Sequence, residues 1–119
     1  VSGKSENLLG VLLDGRNTEG QTALHMAAMR GYSEIVEAIL EYPEADVEVL
    51  DKDGDTPIVF AVASGTPECL KVLIRKGADV NARLKDGLGP AVAHVCAFHG
   101  QPDCMRVIHL FFIHLHDIT

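Results

Sequence analysis

The chain has no tryptophan, two tyrosines and four phenylalanines among its 119 residues. That scarcity excludes a core built on stacked aromatic rings, so Leu, Ile, Val and Ala must supply the buried surface. Cations are also few: ten Lys and Arg against seventeen Asp and Glu, for a formal net charge of -7. The balance argues against nucleic acid as a partner, because affinity there comes mainly from cations that displace counterions. No apolar run reaches the roughly 20 residues that a membrane-spanning helix needs. Cys69, Cys96 and Cys104 are an odd set and make no disulfide framework, which points to a reducing, cytoplasmic setting. There is no initiator Met and no leader composition before Val1-Ser2-Gly3-Lys4, so the chain reads as an interior piece of a longer protein. Its length fits one small domain, and its 47% hydrophobic content is enough for a core and argues against disorder.

What is present is a repeat. GQTALHMAAMRG from Gly20 to Gly31 is followed by GDTPIVFAVASG from Gly54 to Gly65 and by GPAVAHVCAFHG from Gly89 to Gly100. The matched glycines recur at intervals of 34 and 35 residues. Each block runs into a stretch with helical periodicity: SEIVEAILE, PECLKVLIRKG and PDCMRVIHL. Thr22 and Thr56 are expected to N-cap the first helix of their units, with Pro57 in the first helical position. Gly31, Gly65 and Gly100 are expected to end those helices in the left-handed conformation. Ser33-Glu34, Pro67-Glu68 and Pro102-Asp103 open the second helices with an acid at the positive dipole end. On the second helices Ile35, Val36, Ile39 and Leu40, and again Cys69, Leu70, Leu73 and Ile74, are predicted core positions.

Thr22-Ala23-Leu24-His25-Met26-Ala27, Thr56-Pro57-Ile58-Val59-Phe60-Ala61 and Gly77-Ala78-Asp79-Val80-Asn81-Ala82 together resemble the ankyrin repeat, a turn and two helices with a period near 33 residues. The fold class this implies is all-α: a solenoid of helix-turn-helix repeats with protruding β-turn or hairpin loops. Residues 1–16 read as the end of a preceding helical unit, 17–50 as the first repeat, 51–83 as the second, 84–109 as a divergent and truncated third, and 110–119 as an atypical apolar tail. In the third repeat Ala91 replaces the capping Thr, and His109 stands where Leu40 and Ile74 predict an apolar residue. The tail, with Leu110-Phe111-Phe112-Ile113, is the opposite of the polar face expected of a terminal repeat. It admits three readings: a helix that runs on and packs back, an artefact of a truncated gene model or unspliced intron, or a partner-binding segment. Such a contiguous apolar patch predicts self-association of the chain.

Chemistry-bearing clusters fare poorly. His94, Cys96, His99, Cys104 and His109 lie close in sequence, but their spacing matches no standard zinc site. Cys104 falls in register with Cys69 and Ile35, and His94 with His25, where an imidazole ties the backbones of adjacent turns. The acidic run from Asp51 to Asp55 lacks the Gly and Glu positions of a calcium loop and reads as a turn. Gly3-Lys4-Ser5 has no Gly-rich strand and loop before it and is not a phosphate-binding loop. No catalytic, cofactor-binding or metal site is expected.

Repeat stacks bind along their turn tips and the outward side of their first helices. Here the tips are Glu19, Gln21, Lys52, Asp53, Asp55, Asp86 and Leu88, and the first-helix positions are Met29, Arg30, Ala63, Ser64, Phe98 and His99. Met29 beside Arg30, and Phe98 beside His99, have the composition of interface anchors.

Over residues 6 to 106 the chain is also similar to the ankyrin segment of a family of plant RING-type ubiquitin ligases. The residues that carry this likeness include LLDGRNTEG and HGQPDCMR, neither of which the repeat itself demands. The resemblance implies a multi-domain parent with RING and kinase domains, neither present in this chain, acting in abscisic acid signalling at the cytosolic face of the trans-Golgi network and early endosome. It implies protein partners, substrates or adaptors of the ligase, recruited by this segment. The other expectation is a structural spacer that touches no substrate.

Overall fold

The computed structural model of the chain describes residue 10, residues 13–80 and residues 100–118, the last with side chains as far as Leu110. Its helices are α1 (Ala23–Arg30), α2 (Ser33–Leu40), α3 (Pro57–Ala63), α4 (Pro67–Arg75) and α5 (Pro102–Ile118). The chain is all-α, with no strand among the described residues. Helices α1 and α2 form one hairpin, and α3 and α4 the next. Stacking sets α1 against α3 in a first layer, and α2, α4 and α5 side by side in a second.

Each hairpin begins where backbone chemistry demands it. Thr22 caps α1 by accepting the His25 N–H, and His25 Nδ1 accepts the Thr22 N–H in return, a reciprocal box that satisfies orphan donors of the helix start. Gly31 ends α1 at φ 78, and Gly65 and Gly100 take φ 68 and φ 60 at the matched places. The second helices begin at Ser33, Pro67 and Pro102, as their sequence predicts.

Between the layers lies one core. Leu24, Ala27 and Ala28 of α1, Val36 and Ile39 of α2, Ile58, Ala61 and Val62 of α3, Cys69, Leu70, Val72 and Leu73 of α4, and Cys104 and Ile108 of α5 are buried in it. The alanines let α1 and α3 approach closely, and the branched residues fill the space behind them. No repeat could bury these side chains alone, which is why the units fold as a stack. Thr66 Oγ1 donates to the Ala28 carbonyl of the preceding repeat at 3.3 Å, and Gln101 Nε2 to the Ala63 carbonyl at 3.3 Å. The residue before α4 and the residue before α5 thus each grip the end of the previous first helix.

Three expectations need correction or refinement. Ile35 is 48% exposed, although Cys69 and Cys104 in its register are at 0%. The Cys69 Sγ lies 4.0 Å from the Ala27 carbonyl, so this position faces the preceding first helix, and the described residues hold no such helix ahead of Ile35. Thr56 occupies the N-cap of α3 but makes no side-chain capping bond, and its Oγ1 is buried without a partner. The residue three places on is Val59, which lacks the imidazole that completes the box at Thr22. His109 is exposed, so the position tolerates a polar group although Leu40 and Ile74 in its register are half-buried.

The irregular exit of the first repeat has a use. The Glu48 carboxylate accepts the Asp79 N–H at 3.2 Å and so ties this loop to the matching turn of the second repeat. The second helix of the third repeat does not stop at His109, since α5 continues unbroken to Ile118. The helical unit read before the first repeat lies mostly outside the described residues. Its Leu13 is helical and packs on the core.

Candidate interaction surface

The turn tips are built by a device repeated in register. Asn17 Oδ1 accepts the N–H groups of Glu19 and Gln21, each at 2.9 Å. Asp51 Oδ1 accepts those of Asp53 at 2.9 Å and Asp55 at 2.8 Å. The backbone closes both turns alike, Asn17 N to Gln21 O and Asp51 N to Asp55 O, each at 3.0 Å. Adjacent tips then join through the Lys52 N–H and the Glu19 carbonyl at 3.2 Å. Gly20 makes this approach possible: it holds φ +74, and a Cβ there would stand 2.7 Å from the Lys52 nitrogen.

Asp51, Asp53 and Asp55 bring carboxylate oxygens within 4.8 Å of one another. Asn17 explains why this is a turn: a neutral amide performs in the first repeat the same bonding that the Asp51 carboxylate performs in the second.

His25 joins the tips to the helices. Its ring is buried, its Nδ1 accepts the Thr22 N–H at 3.1 Å, and its Nε2 lies 2.9 Å from the Asp55 carbonyl of the next repeat. The acceptor role of Nδ1 assigns the proton of the neutral ring to Nε2, which donates to Asp55. Burial pushes the His25 pKa below its ordinary value, against the opposing pull of the Asp55 carbonyl and the Asp51 charge. Phe60 meets the ring edge-on, with centroids 5.3 Å apart. The expectation that this His ties adjacent turns therefore holds for His25. His94, its counterpart in register, lies outside the described residues.

On this frame Glu19, Lys52, Asp53, Arg30 and Ser64 are exposed, whereas Gln21, Asp55, Met29 and Ala63 are half-buried. Met29 is thus less open than its sequence position predicts. Glu19 and Lys52 form an ion pair at 3.6 Å with both side chains more than half exposed, a contact of little consequence for stability. Asp55 spends its carbonyl on His25, and Gln21 Oε1 accepts from Asn17 Nδ2 at 2.9 Å. Arg30 closes α1 at the helix end remote from the tip, about 12 Å along the axis. Asp86, Leu88, Phe98 and His99 lie outside the described residues, as do Cys96 and His99 of the histidine-cysteine cluster. Of that cluster's described members, Cys104 is fully buried while His109 is exposed on the same helix.

Sequence reasoning missed Asn17, Arg16, Thr66 and Gln101. The Arg16 guanidinium donates to the Gly20 carbonyl at 2.7 Å and also to the Leu50 carbonyl, bracing the first tip against the next. The 34-residue match of Asn17 with Asp51 is a usable signal. Arg16 has none, because Leu50 stands in its register.

Residues 2–84 and 43–114 match the family described as ankyrin repeats in three copies. The chain is 63% identical over 80% of its length to the E3 ubiquitin-protein ligase KEG of Arabidopsis thaliana, of which it spans 6%. It is 31% identical over 78% of its length to the human transient receptor potential cation channel subfamily A member 1, spanning 8% of that protein. It is 32% identical over 73% of its length to the probable E3 ubiquitin-protein ligase XBOS31 of rice, spanning 19% of it. The matched ranges take in the turns and the paired helices described above, and the chain belongs to the ankyrin-repeat family.

Proposed function

We propose that this segment recruits substrate or adaptor proteins to a multi-domain RING-type ubiquitin ligase. Ankyrin repeats are protein-interaction modules, and that much follows from the family. The observation that carries the finer reading is the 63% identity to a plant ubiquitin ligase, which far exceeds what the repeat pattern demands. What supports the choice of surface is the exposure, in matched register, of Glu19 and Asp53 at the tips and of Arg30 and Ser64 at the first-helix ends, with Lys52 exposed beside Asp53. Met29, with Arg30, and Phe98, with His99, are the proposed anchors. Ligase and kinase chemistry are assigned to other parts of the parent protein. Abscisic acid signalling and a place at the cytosolic face of the trans-Golgi network and early endosome belong to the same proposal.

A pull-down with the 119-residue chain is the test. Retained proteins that are ubiquitylated by the parent ligase, and lost on Met29→Ala with Phe98→Ala, are the expected result. Retention of nothing would favour the spacer reading, and unchanged binding in both variants would remove this surface. The chain alone is expected to be silent in a ubiquitylation assay.

A further inference from the structure

Three residues stand in register just ahead of the second helices: Tyr32, Thr66 and Gln101. All three carry a side-chain hydrogen-bond donor. Thr66 spends its hydroxyl on the Ala28 carbonyl and Gln101 its amide on the Ala63 carbonyl, each near the end of the previous first helix. The glycines that end those helices make the room. A Cβ on Gly31 would stand 3.0 Å from Thr66 Cγ2, and one on Gly65 would collide with the Gln101 amide. The Tyr32 side chain is 53% exposed, and no first helix precedes it among the described residues.

Tyr32 heads an exposed apolar stripe along one side of α2. Ile35 and Tyr42 are 48% and 43% exposed, and Ala38 between them is exposed as well. Steps of three and four residues keep these positions on one helix face. The repeat interval carries Ile35 to Cys69 and Ala38 to Val72, which are at 0% and 6%. Cys69 faces the Ala27 carbonyl, and α4 packs along α2. On α5 the same places are Cys104, at 0%, and Val107, half-buried. Of three faces alike in register, the two that follow a described unit are covered and the first is open.

We propose that this stripe seats the first helix of one further ankyrin unit, ahead of the first repeat in the same polypeptide. The covered faces define the occupant's chemistry. It is a short helix with small residues over Ile35, a last-turn carbonyl that takes the Tyr32 hydroxyl, and a left-handed glycine at its end. The first helices α1 and α3 offer that chemistry to the units after them, through Ala27, Ala28 and Gly31 and through Ala63 and Gly65. The 34-residue step from Ala23 to Pro57, taken backward, sets the occupant ahead of Val1. The family match reaches back to residue 2, and Leu13 is helical and packs on the core, both ahead of the first turn at Asn17. The seat is a joint between units, so it goes beyond the recruiting surface and does not depend on the parent being a ligase.

Urea denaturation of two chains tests the seat: the 119 residues, and the same chain extended at its N-terminus by the roughly 40 residues, one repeat and its turn, that precede it in the parent protein. The extended chain should have the higher midpoint. Ile35→Glu should leave the midpoint of the 119-residue chain nearly unchanged, because the side chain is half exposed, and should lower that of the extended chain. Tyr32→Phe, which removes only the donor, should do the same to a smaller extent. An extension that leaves the midpoint where it was, or substitutions that act alike in both chains, would overturn the proposal. So would a dimer of the 119-residue chain that Ile35→Glu dissolves in sedimentation, which would give the face to a second copy. Neither substitution touches the turn tips, so a failure here leaves the pull-down result standing.

Discussion

His25 Nε2 donates to the Asp55 carbonyl at 2.9 Å across a gap of 30 residues, and its Nδ1 accepts from Thr22 at the start of its own helix. One buried ring therefore closes a helix cap and a repeat junction together.

Acid should loosen that junction. The folded ring is held neutral by burial, with a pKa below its ordinary value. An unfolded His takes up a proton as pH falls through about 6.5. The unfolded state then binds more protons, so stability is full above that pH and declines as pH falls toward the folded pKa. Urea midpoints measured at steps from pH 7.5 to 5 should drop more in the wild type than in His25→Gln. Equal slopes would remove His25 from the acid response. At pH 7.5, His25→Ala should cost about 1–3 kcal/mol, for a buried hydrogen-bonding group lost.

The two capping threonines should respond oppositely to valine. Thr22→Val removes a working capping box, at a cost of about 0.5–2 kcal/mol. Thr56→Val removes a buried hydroxyl that has no partner, and is expected to be neutral or stabilising by up to about 1 kcal/mol. Chemical denaturation of both variants decides this, and a similar loss in both would contradict the assigned difference.

Gly20 and Gly54 occupy the same place in successive turns and share a positive φ, but their surroundings differ. A Cβ on Gly20 meets the Lys52 backbone nitrogen at 2.7 Å, whereas on Gly54 it meets nothing within 4 Å among the described residues. Gly54→Ala should cost about 1 kcal/mol, the penalty of a left-handed Ala. Gly20→Ala should cost clearly more, because backbone must move. Equal costs would mean that the tips do not press together as described.

Cys69 and Cys104 should behave as inert core residues. Both are at 0% exposure, and burial pushes both thiols above their ordinary pKa. In a Cys96→Ser background, a thiol reagent should label them only at the rate of opening of the stack. Fast labelling under native conditions would show that the second helices are not packed as described.

The legible parts of this protein are those in which a residue type answers a local demand. Gly31, Gly65 and Gly100 are needed wherever the chain must turn left-handed, and Pro67 and Pro102 start helices by losing nothing, so these boundaries are readable one residue at a time. Burial that depends on a neighbour is not readable in that way. Ile35 and Cys69 share a register and an apolar character, yet among the described residues only Cys69 of the two has a preceding first helix against it. Thr56 is a cap by type, but the box needs an imidazole three residues on and finds Val59. On the candidate interaction surface the exposed charges Glu19, Lys52 and Arg30 were legible from register, whereas the partial burial of Met29, which depends on its neighbours in space, was not.

Five of the bonds that join one repeat to the next share a property. Arg16 reaches the Leu50 carbonyl, His25 the Asp55 carbonyl, Thr66 the Ala28 carbonyl and Gln101 the Ala63 carbonyl, while Glu48 takes the Asp79 N–H. In each of these five a side chain on one unit grips main chain on the other. Main-chain groups are there whatever side chain the position carries. The side chain at the gripped position is therefore free to vary over generations while the joint stands, provided that the gripping residue is kept.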